Sequence, residues 1–325
     1  MFTDKDPIFE LSGKRVYVAG HRGLVGSALV RRLQTEDCEI LTVTRDEVDL
    51  RRQAEAEGWM AEAKPEAVFV AAATVGGIVA NDTRPAEFIY NNLLIEANLI
   101  EAAYKGGVEK LLSLGSSCVY PKFAPQPIPE DALLSGALEP TNQWYAIAKI
   151  SGIMLCQAYR RQYGCDFISA MPTNLYGEND NFDLESSHVL PALMVKVHAA
   201  KMNGDADIEV WGTGKPRREF LHVDDAADAM VHLMKHYSGE AHINVGTGAD
   251  ITIAELAEMI CDVVGFDGGV RYISDKPDGT PVKRLDVTRL KEIGWTASAD
   301  LRDGIERTYA WYVARLQDSA VAGDG

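Results

Sequence analysis

The sequence predicts an α/β fold in which a doubly wound parallel sheet is followed by a smaller C-terminal domain. Three observations lead to this prediction: short apolar runs alternate with helical patterns over the first half of the chain, the first apolar run ends in a glycine-rich turn, and the alternation stops after Gly177. Strands that alternate with helices form parallel sheets covered on both faces, so these strands are apolar along their whole length.

Composition limits the possible partners. The 325 residues are 46% hydrophobic and 25% charged, as in globular proteins, and the formal net charge is -16. Nucleic acids and anionic membranes need a basic surface, so neither is expected as a partner. The 5 cysteines include no Cys-x-x-Cys pair, which favours free thiols in the cytoplasm. Neither a membrane helix, a signal peptide nor a metal site is predicted.

The first strand is predicted at residues 14–20, and it leads into a glycine-rich turn and a helical pattern that reaches Leu33. This order is the context that a dinucleotide-binding fingerprint of the Rossmann type requires. Gly20 allows the tight turn, Gly23 lets the backbone approach a pyrophosphate, and Gly26 permits close packing of the helix on the strand. An ordinary glycine-rich turn is the less favoured alternative. The predicted cofactor-binding residues of this turn are Gly20, His21, Arg22, Gly23, Leu24, Val25 and Gly26.

The second strand, predicted at residues 39–44, ends next to Arg45 and Asp46. NAD-binding sheets usually place a carboxylate there for the ribose 2′-hydroxyl. In this chain Arg45 comes first and Arg22 stands in the glycine turn, so two guanidinium groups can bind a 2′-phosphate by charge-assisted hydrogen bonds. The sequence therefore predicts NADP rather than NAD. NAD stays the alternative, because the carboxylate of Asp46 could bind a ribose 2′-hydroxyl instead.

Two further strands are predicted at residues 67–73 and 111–114. The first runs into a loop that begins at Thr74, and the second delivers Ser116 and Cys118 to its carboxyl end. The carboxyl ends of parallel strands meet at one edge of the sheet, which is where such sheets bind ligands. We therefore expect the glycine turn, the Thr74 loop and Ser116 to lie close together.

A long helix is predicted at residues 145–163, followed by a fifth strand at 166–171. Tyr145 and Lys149 are four residues apart, so they lie on the same face of this helix. An ammonium group near a phenol lowers the pKa of the phenol and makes the hydroxyl a usable acid and base. Ser116 can offer a second hydroxyl to the same substrate oxygen. A solvated tyrosine–lysine pair without a catalytic role is the alternative.

The chain beyond Gly177 reads as a second region. It is predicted to contain an apolar helix from His188, a turn at 210–214 and a strand at 243–246, followed by short helices and turns. The predicted domains are a Rossmann-type nucleotide-binding domain at 12–177 to which 216–247 return, a substrate-binding domain at 178–215 and 248–317, and a frayed tail at 318–325.

Ordered motifs run along nearly the whole chain. They are Gly-His-Arg-Gly-x-Val-Gly from Gly20, Val-Gly-Gly-Ile-x-Ala-Asn from Val75, Gly-Ser-Ser-Cys-x-Tyr-Pro from Gly115, Pro-Thr-Asn from Pro140, Tyr-Ala-Ile-Ala-Lys from Tyr145, Met-Pro-Thr-Asn-Leu-Tyr-Gly from Met171, Arg-Glu-Phe-Leu-His-Val-Asp-Asp from Arg218 and Lys-Pro-Asp-Gly-Thr-Pro from Lys276. With these motifs the chain resembles the extended short-chain dehydrogenase/reductase superfamily and, within it, the GDP-sugar 3,5-epimerase-4-reductases. The resemblance implies an NADPH-dependent homodimer that converts GDP-4-keto-6-deoxy-D-mannose to GDP-L-fucose.

The resemblance also implies the roles of the catalytic residues. Cys118 and His188 would remove and return protons at C3 and C5 of the keto sugar. Tyr145 would protonate the oxyanion formed when hydride reaches C4, and Lys149 would lower the pKa of Tyr145 and bind the nicotinamide ribose. Ser116 would hydrogen-bond the carbonyl oxygen. A small buried hydrophobe at Cys118 and a helix-capping or core histidine at His188 are the alternatives.

Further binding residues are implied at both ends of the site. On the cofactor side the resemblance adds Asp49, Leu50, Pro172, Asn174 and Leu175, together with Ser116, Tyr145, Lys149 and His188. For the nucleotide of the substrate it indicates Lys196, Trp211, Arg218 and Asp278.

Two rival functions are considered. One is an NAD-dependent UDP- or dTDP-sugar 4-epimerase or dehydratase, which the pair Arg22 and Arg45 and the pair Cys118 and His188 argue against. The other is a non-catalytic dinucleotide-binding sensor, which would tend to lose the tyrosine or lysine that this chain retains.

Overall fold

The computed structural model describes residues 6–275 and 279–323, with side chains up to residue 318. Its β-strands are β1 (Arg15–Ala19), β2 (Glu39–Leu41), β3 (Ala67–Val70), β4 (Lys110–Leu114), β5 (Asp166–Pro172), β6 (Asn174–Tyr176), β7 (Asp207–Trp211), β8 (Arg217–Arg218), β9 (Phe220–His222), β10 (Ile243–Val245), β11 (Ile251–Thr252), β12 (Gly269–Ile273) and β13 (Val282–Lys283). Its α-helices are α1 (Leu24–Leu33), α2 (Gln53–Ala63), α3 (Ile78–Thr83), α4 (Pro85–Lys105), α5 (Gln143–Tyr163), α6 (Val189–Asn203), α7 (Val223–His236), α8 (Ile253–Val264), α9 (Thr288–Ile293) and α10 (Leu301–Gly323).

The largest sheet has 6 parallel strands in the order β10-β5-β4-β3-β1-β2. The chain moves from β1 to β2 on one side and then to β3, β4 and β5 on the other, so the strand order reverses between β1 and β3. Helices α1 and α7 pack together on one face of the sheet, and α2, α4 and α5 cover the opposite face. The predicted doubly wound α/β fold is confirmed.

The two faces of the sheet are filled by alternate residues of each strand. Val16 and Val18 of β1 belong to the core that contains Leu29 of α1, whereas Tyr17 belongs to the core that contains Leu99 of α4. These side chains are fully buried. A strand that is buried on both faces has no polar side, which is why β1, β3 and β4 read as continuous apolar runs.

A second hydrophobic core joins α6, α8 and α10 with β7 and lies beyond the carboxyl edge of the sheet. The side chains that form it include Leu193 and Val197 of α6, Ile208 of β7, Leu256 and Ile260 of α8, and Ile305 of α10. Strand β7 pairs in parallel with β12, while β8 lies between β11 and β13. Strand β10 pairs with β5 in the large sheet. The domain boundaries themselves stay a prediction.

Several local predictions for the second region were wrong. The turn predicted at 210–214 begins inside β7, because Val210 and Trp211 pair with β12. The stretch from 248 to Trp295, expected to hold short helices and turns, also contains the twelve-residue helix α8 and the strands β11, β12 and β13. Helix α10 also extends to Gly323, so 318–323 are helical rather than frayed. Among the described residues, no helix is both long and apolar enough to cross a bilayer.

Candidate active site

A cavity of about 1590 Å³ opens at the carboxyl edge of the six-stranded sheet, where β1, β3, β4 and β5 end. Helix α6 and strand β7 line its other side. The cavity therefore spans the sheet and the second core, at the position where open α/β sheets bind ligands.

The residues that the sequence predicts for the site come together in this cavity, with two exceptions. Gly26 lies beneath the glycine turn, where a side chain would overlap the Gly20 carbonyl oxygen, and Asp278 lies outside the described residues. The predicted residues that line the cavity are Gly20, His21, Arg22, Gly23, Leu24, Val25, Arg45, Asp49, Leu50, Ser116, Cys118, Tyr145, Lys149, Pro172, Asn174, Leu175, His188, Lys196, Trp211 and Arg218.

The glycine turn leaves room for a diphosphate. Gly20 has a φ of +83°, and a Cβ at this position would lie 2.7 Å from the Cα of Ala72 in the next loop. Helix α1 begins at Leu24, and its N-cap residue Gly23 has no side chain to accept hydrogen bonds from the first turn. The backbone N–H groups of that turn can therefore bind an anion that lies in the cavity.

The rim beyond β2 fits a 2′-phosphate. Arg22 and Arg45 are both exposed, line the cavity and form no ion pair with another described residue. Asp49 is bound by Arg51, whose Nη2 lies 2.6 Å from its Oδ2, and this guanidinium lowers the pKa of Asp49 to about 2. The negative charge of Asp49 is thus already paired with Arg51. Arg22 and Arg45 can donate hydrogen bonds to an anionic group. Asp46 lies on the same rim, where its carboxylate could bind the free 2′-hydroxyl of NAD.

Lys149 forms a buried ion pair that sequence reasoning missed. Its Nζ lies 2.7 Å from Glu96 Oε1 and 2.7 Å from the Leu114 carbonyl oxygen, and both charged side chains are 2% exposed. Gly152 on α5 makes room for the carboxylate, since a Cβ there would overlap Glu96 Oε2. Burial raises the pKa of Glu96, and the charge of Lys149 opposes that shift. Glu96 is a charged residue within an apolar stretch of α4, and this pattern was the signal in the sequence from which a buried ion pair could have been inferred.

Tyr145 lies beside Lys149 on α5, with the lysine Nζ 5.9 Å from the centre of its ring. Burial raises the pKa of Tyr145 well above its ordinary value, and the charges of Cys118 and Glu96 act in the same direction. The predicted net lowering of this pKa is therefore not found, because burial is the largest cause of the shift and raises the pKa. Tyr145 is a neutral phenol at neutral pH and can donate a proton.

Cys118 and Ser116 lie at the end of β4, in the short 3₁₀ turn Ser117–Val119 and its cap. The Cys118 N–H donates to Ser116 Oγ at 3.4 Å. Burial raises the pKa of the Cys118 thiol, while Lys283, Ser116 and Lys149 lower it. Lys283, which also lines the cavity, was not found from the sequence.

His188 is the N-cap of α6, and its side chain is exposed to the cavity. The surrounding protein limits its hydration and thereby lowers its pKa, and Lys283 adds to the effect. The loop before it is fixed against the sheet edge, because the Gly77 N–H donates to the Ser186 carbonyl oxygen at 2.7 Å. A Cβ at Gly77 would lie 2.5 Å from the Ser187 carbonyl oxygen, so only glycine permits this approach.

Asn174 on β6 lies at the cofactor side of the cavity, where its Nδ2 donates to the Glu219 carbonyl oxygen at 2.7 Å. The other end of the cavity presents an aromatic ring beside cations. Trp211 is 52% exposed, and Lys196 Nζ lies 5.1 Å from the centre of its ring. Arg218 lines the same wall. An exposed indole face next to positive charge fits a base joined to a diphosphate.

Comparison with known proteins agrees with this site. The family model described as "NAD dependent epimerase/dehydratase family" matches residues 16–246. The chain is 56% identical over 313 residues to a GDP-L-fucose synthase of Sinorhizobium fredii, covering 96% of this chain and 100% of that protein. It is 59% identical over 303 residues to GDP-L-fucose synthase 1 of Arabidopsis thaliana, covering 93% and 94%.

A solved structure extends the likeness to three dimensions. A GDP-L-fucose synthetase from Naegleria fowleri, crystallised with NADP, superposes with a TM-score of 0.88 at 29% identity and covers 97% of this chain and 98% of its own. The match of the family model over most of the chain, together with these relatives, shows that the chain belongs to the NAD dependent epimerase/dehydratase family and groups there with the GDP-L-fucose synthases.

Proposed function

We propose that this protein converts GDP-4-keto-6-deoxy-D-mannose to GDP-L-fucose by 3,5-epimerisation followed by NADPH-dependent reduction at C4. One observation carries the proposal: a single cavity holds the dinucleotide turn, the group Ser116, Tyr145 and Lys149, and the pair Cys118 and His188. A reductase without inversion needs only the first two sets. The names of the similar proteins support the same substrate class.

The residues of the cofactor end fit NADP. The N–H groups of the first turn of α1 would bind the diphosphate, and Arg22 and Arg45 would bind the 2′-phosphate. Lys149 would reach the nicotinamide ribose from α5. The bound cofactor supplies the hydride that reduces C4.

Inversion needs proton exchange on both faces of the sugar ring. The 4-keto group acidifies the C–H bonds at C3 and C5, so a base can take each proton while the electron pair moves onto the carbonyl oxygen. Ser116 and Tyr145 would donate hydrogen bonds to that oxygen and stabilise its negative charge. We assign the exchange to Cys118 and His188, one removing a proton and the other returning one to the opposite face.

Reduction at C4 then needs a proton donor. Tyr145 is protonated at neutral pH because burial raises its pKa. Its O–H proton would pass to the new alkoxide, and the Lys149 ammonium, 5.9 Å from the ring, would offset the charge left on the phenolate.

The GDP moiety would occupy the far end of the cavity. Trp211, which is 52% exposed, would stack its ring on the base, while Lys196 and Arg218 offer positive charge to the diphosphate. A role for Asp278 stays a prediction, since this residue lies outside the described part of the chain.

We also propose a cytoplasmic homodimer. All of the cysteines, Cys38, Cys118, Cys156, Cys165 and Cys261, are free, which suits a reducing compartment. Apolar side chains are exposed along α4 and α5, which pack against each other on one face of the sheet: Tyr90, Tyr104, Trp144, Ile147, Met154 and Tyr163. Exposed apolar side chains on two adjacent helices fit a second copy of the chain.

The proposed function is tested by incubating the protein with GDP-4-keto-6-deoxy-D-mannose and NADPH and identifying the product by NMR. We expect GDP-L-fucose. An uninverted GDP-6-deoxyhexose would leave a reductase but remove Cys118 and His188 from their proposed roles. Failure to consume NADPH, with NAD tightly bound to the purified protein, would favour the 4-epimerase instead.

A further inference from the structure

Lys283 lines two cavities together with Cys118. It lies on β13, where its backbone pairs in register with Arg218 of β8. Lys283 and Cys118 both line the main cavity, and both line a small adjoining cavity of about 20 Å³ together with Glu139 and Asn142. The lysine and the thiol therefore share the wall of the small cavity as well as that of the main one.

The backbone around Lys283 is held in place on both sides. The Glu219 N–H donates to the Lys283 carbonyl oxygen at 3.3 Å, and the Leu285 N–H donates to Glu219 Oε2 at 2.7 Å. Glu219 is fully buried. The Ile128 N–H donates to the Arg284 carbonyl oxygen at 2.8 Å. These bonds hold the backbone of β13, and with it the Cα of Lys283, at the cavity wall.

The ammonium group of Lys283 forms no hydrogen bond or ion pair with another described residue, whereas that of Lys149 is paired with Glu96. The charged and titratable groups that face Lys283 are Cys118, Arg218, Glu139 and His188. Glu139 is itself paired with Lys122, at 3.6 Å. The positive charge of Lys283 is thus available to the groups that line the cavity.

The groups that face Cys118 are Lys283, Lys149 and Tyr145. Burial raises the pKa of the thiol and lowers that of Lys283, and each of the two charges opposes the shift of the other group. A thiolate beside an ammonium is therefore favoured over a thiolate alone in this low-dielectric wall.

We propose that Lys283 is a positioning residue that stabilises the thiolate form of Cys118 during inversion. The inference rests on the proposed function. When the sulfur takes a proton from the carbon next to the keto group, the C–H bond breaks, an S–H bond forms and the electron pair moves onto the carbonyl oxygen. When the sulfur gives its proton back to carbon, it becomes a thiolate again. Cys118 passes through this charged form in either direction. A cation beside it raises the fraction of Cys118 that is present as the thiolate base, and it lowers the barrier of the step in which the thiol gives its proton to carbon.

The same charge acts on His188. Lys283 lowers the pKa of this imidazole, which makes its protonated form a stronger acid. One cation therefore eases the formation of the thiolate and the release of a proton from the histidine. The effect on Cys118 supplies the thiolate that removes a proton from carbon, and the effect on His188 assists the return of a proton to carbon.

The test is the pH profile of alkylation of Cys118 by iodoacetamide, followed on its own peptide by mass spectrometry in enzyme without sugar nucleotide. Lys283→Met and Lys283→Gln should each move the profile to higher pH and slow alkylation at neutral pH by about tenfold, since a nearby opposite charge shifts a pKa by about one unit or more. Lys283→Arg should retain the wild-type profile. Lys122→Met is the matched control, because Lys122 lines the same small cavity but is paired with Glu139.

The competing role is binding of the substrate diphosphate beside Arg218. In that case the neutral variants would weaken the affinity for GDP and leave the alkylation profile unchanged, which would overturn the proposal. A profile shift in folded variants, checked by circular dichroism, together with slower deuterium uptake at C3 and C5, would support it. The profile needs no substrate, so it decides the role of Lys283 even if the wild-type enzyme makes no GDP-L-fucose.

Discussion

The chemistry of this site depends on how individual charges are buried. Lys149 and Glu96 are both 2% exposed and neutralise each other, which fixes the lysine next to Tyr145 without leaving its charge unpaired. Burying a charge is costly unless it is paired, and the loss of one partner leaves the other charge in the protein interior. Two residue substitutions test this dependence on burial.

Glu96→Gln should destabilise the fold, because the Lys149 ammonium would remain buried without its counter-ion. We expect the free energy of unfolding to fall by roughly 3–5 kcal/mol, measured by urea denaturation. Glu57→Gln is the control, since Glu57 pairs with Lys105 in an exposed position. Equal stability of the Glu96 variant and the wild type would contradict the importance of the buried pair.

Asp180→Asn should change how stability depends on pH. Asp180 is 8% exposed, one of its carboxyl oxygens has no hydrogen-bond partner in the described residues, and burial raises its pKa from 3.8 to about 7. The folded protein therefore holds a proton that the unfolded chain releases, so this group costs stability as pH rises from about 4 to about 7. The asparagine variant should be more stable than the wild type above pH 7 by up to about 4 kcal/mol, with no gain below pH 4.

Thermal or chemical unfolding of both proteins at several pH values measures this difference. Asn181 N–H donates to Asp180 Oδ1 at 2.7 Å, and an asparagine oxygen can accept the same bond. If the two proteins are equally stable at alkaline pH, the carboxyl of Asp180 is not held in an unfavourable charged state.

At the scale of the secondary-structure elements, the sequence predicted those strands and helices that local patterns specify. Strands β1, β3, β4 and β5 are buried on both faces, so their apolar runs were sufficient. Strand β7 was taken for a turn because its partner β12 lies about 60 residues further on, although Ile208 and Val210 alternate with exposed residues as in a half-buried strand. Helix α8 was missed although Thr252 and Glu255 form a capping box.

The loop from Thr74 to Gly77 positions His188. We expect Gly77→Ala to push the Ser187 carbonyl oxygen away, since a Cβ would lie 2.5 Å from it, and thereby to displace the next residue, His188. Deuterium exchange at the sugar carbons should slow by more than tenfold, which corresponds to about 1.4 kcal/mol in the barrier, while NADPH binding is retained.

Gly58→Ala is a matched control, because a Cβ at this position on α2 meets no atom within 4 Å. Normal proton exchange in the Gly77 variant would show that the close approach of the two loops is not needed to place the histidine.

At the scale of the whole molecule, the sequence predicted most of the site because its motifs lie at the carboxyl ends of strands that the fold brings together. Glu96 and Lys283 could not be found in this way. Their partners, Lys149 and Cys118, lie 53 and 165 residues away along the chain, and the contact depends on how helices and strands pack. A charged residue in an apolar stretch indicates a buried ion pair, but the sequence does not show which residue is its partner.

The proposed dimer is tested by Ile147→Asp combined with Met154→Asp on α5, which would place buried charges in the contact between two copies. Size-exclusion chromatography with light scattering should give a dimeric mass for the wild type and a monomeric mass for the variant. Met202→Asp, at a 70% exposed position on α6, should remain dimeric. A monomeric wild type would contradict the proposal.

Conversion of GDP-4-keto-6-deoxy-D-mannose with unlabelled NADPH in deuterium oxide tests the proposed site most directly. The groups that exchange protons at C3 and C5 equilibrate with solvent, whereas C4 receives hydride from the cofactor. We therefore expect GDP-L-fucose that carries deuterium at C3 and C5 and hydrogen at C4, as read by NMR. A reduced product with hydrogen at C3 and C5 and the mannose configuration would contradict the roles proposed for Cys118 and His188.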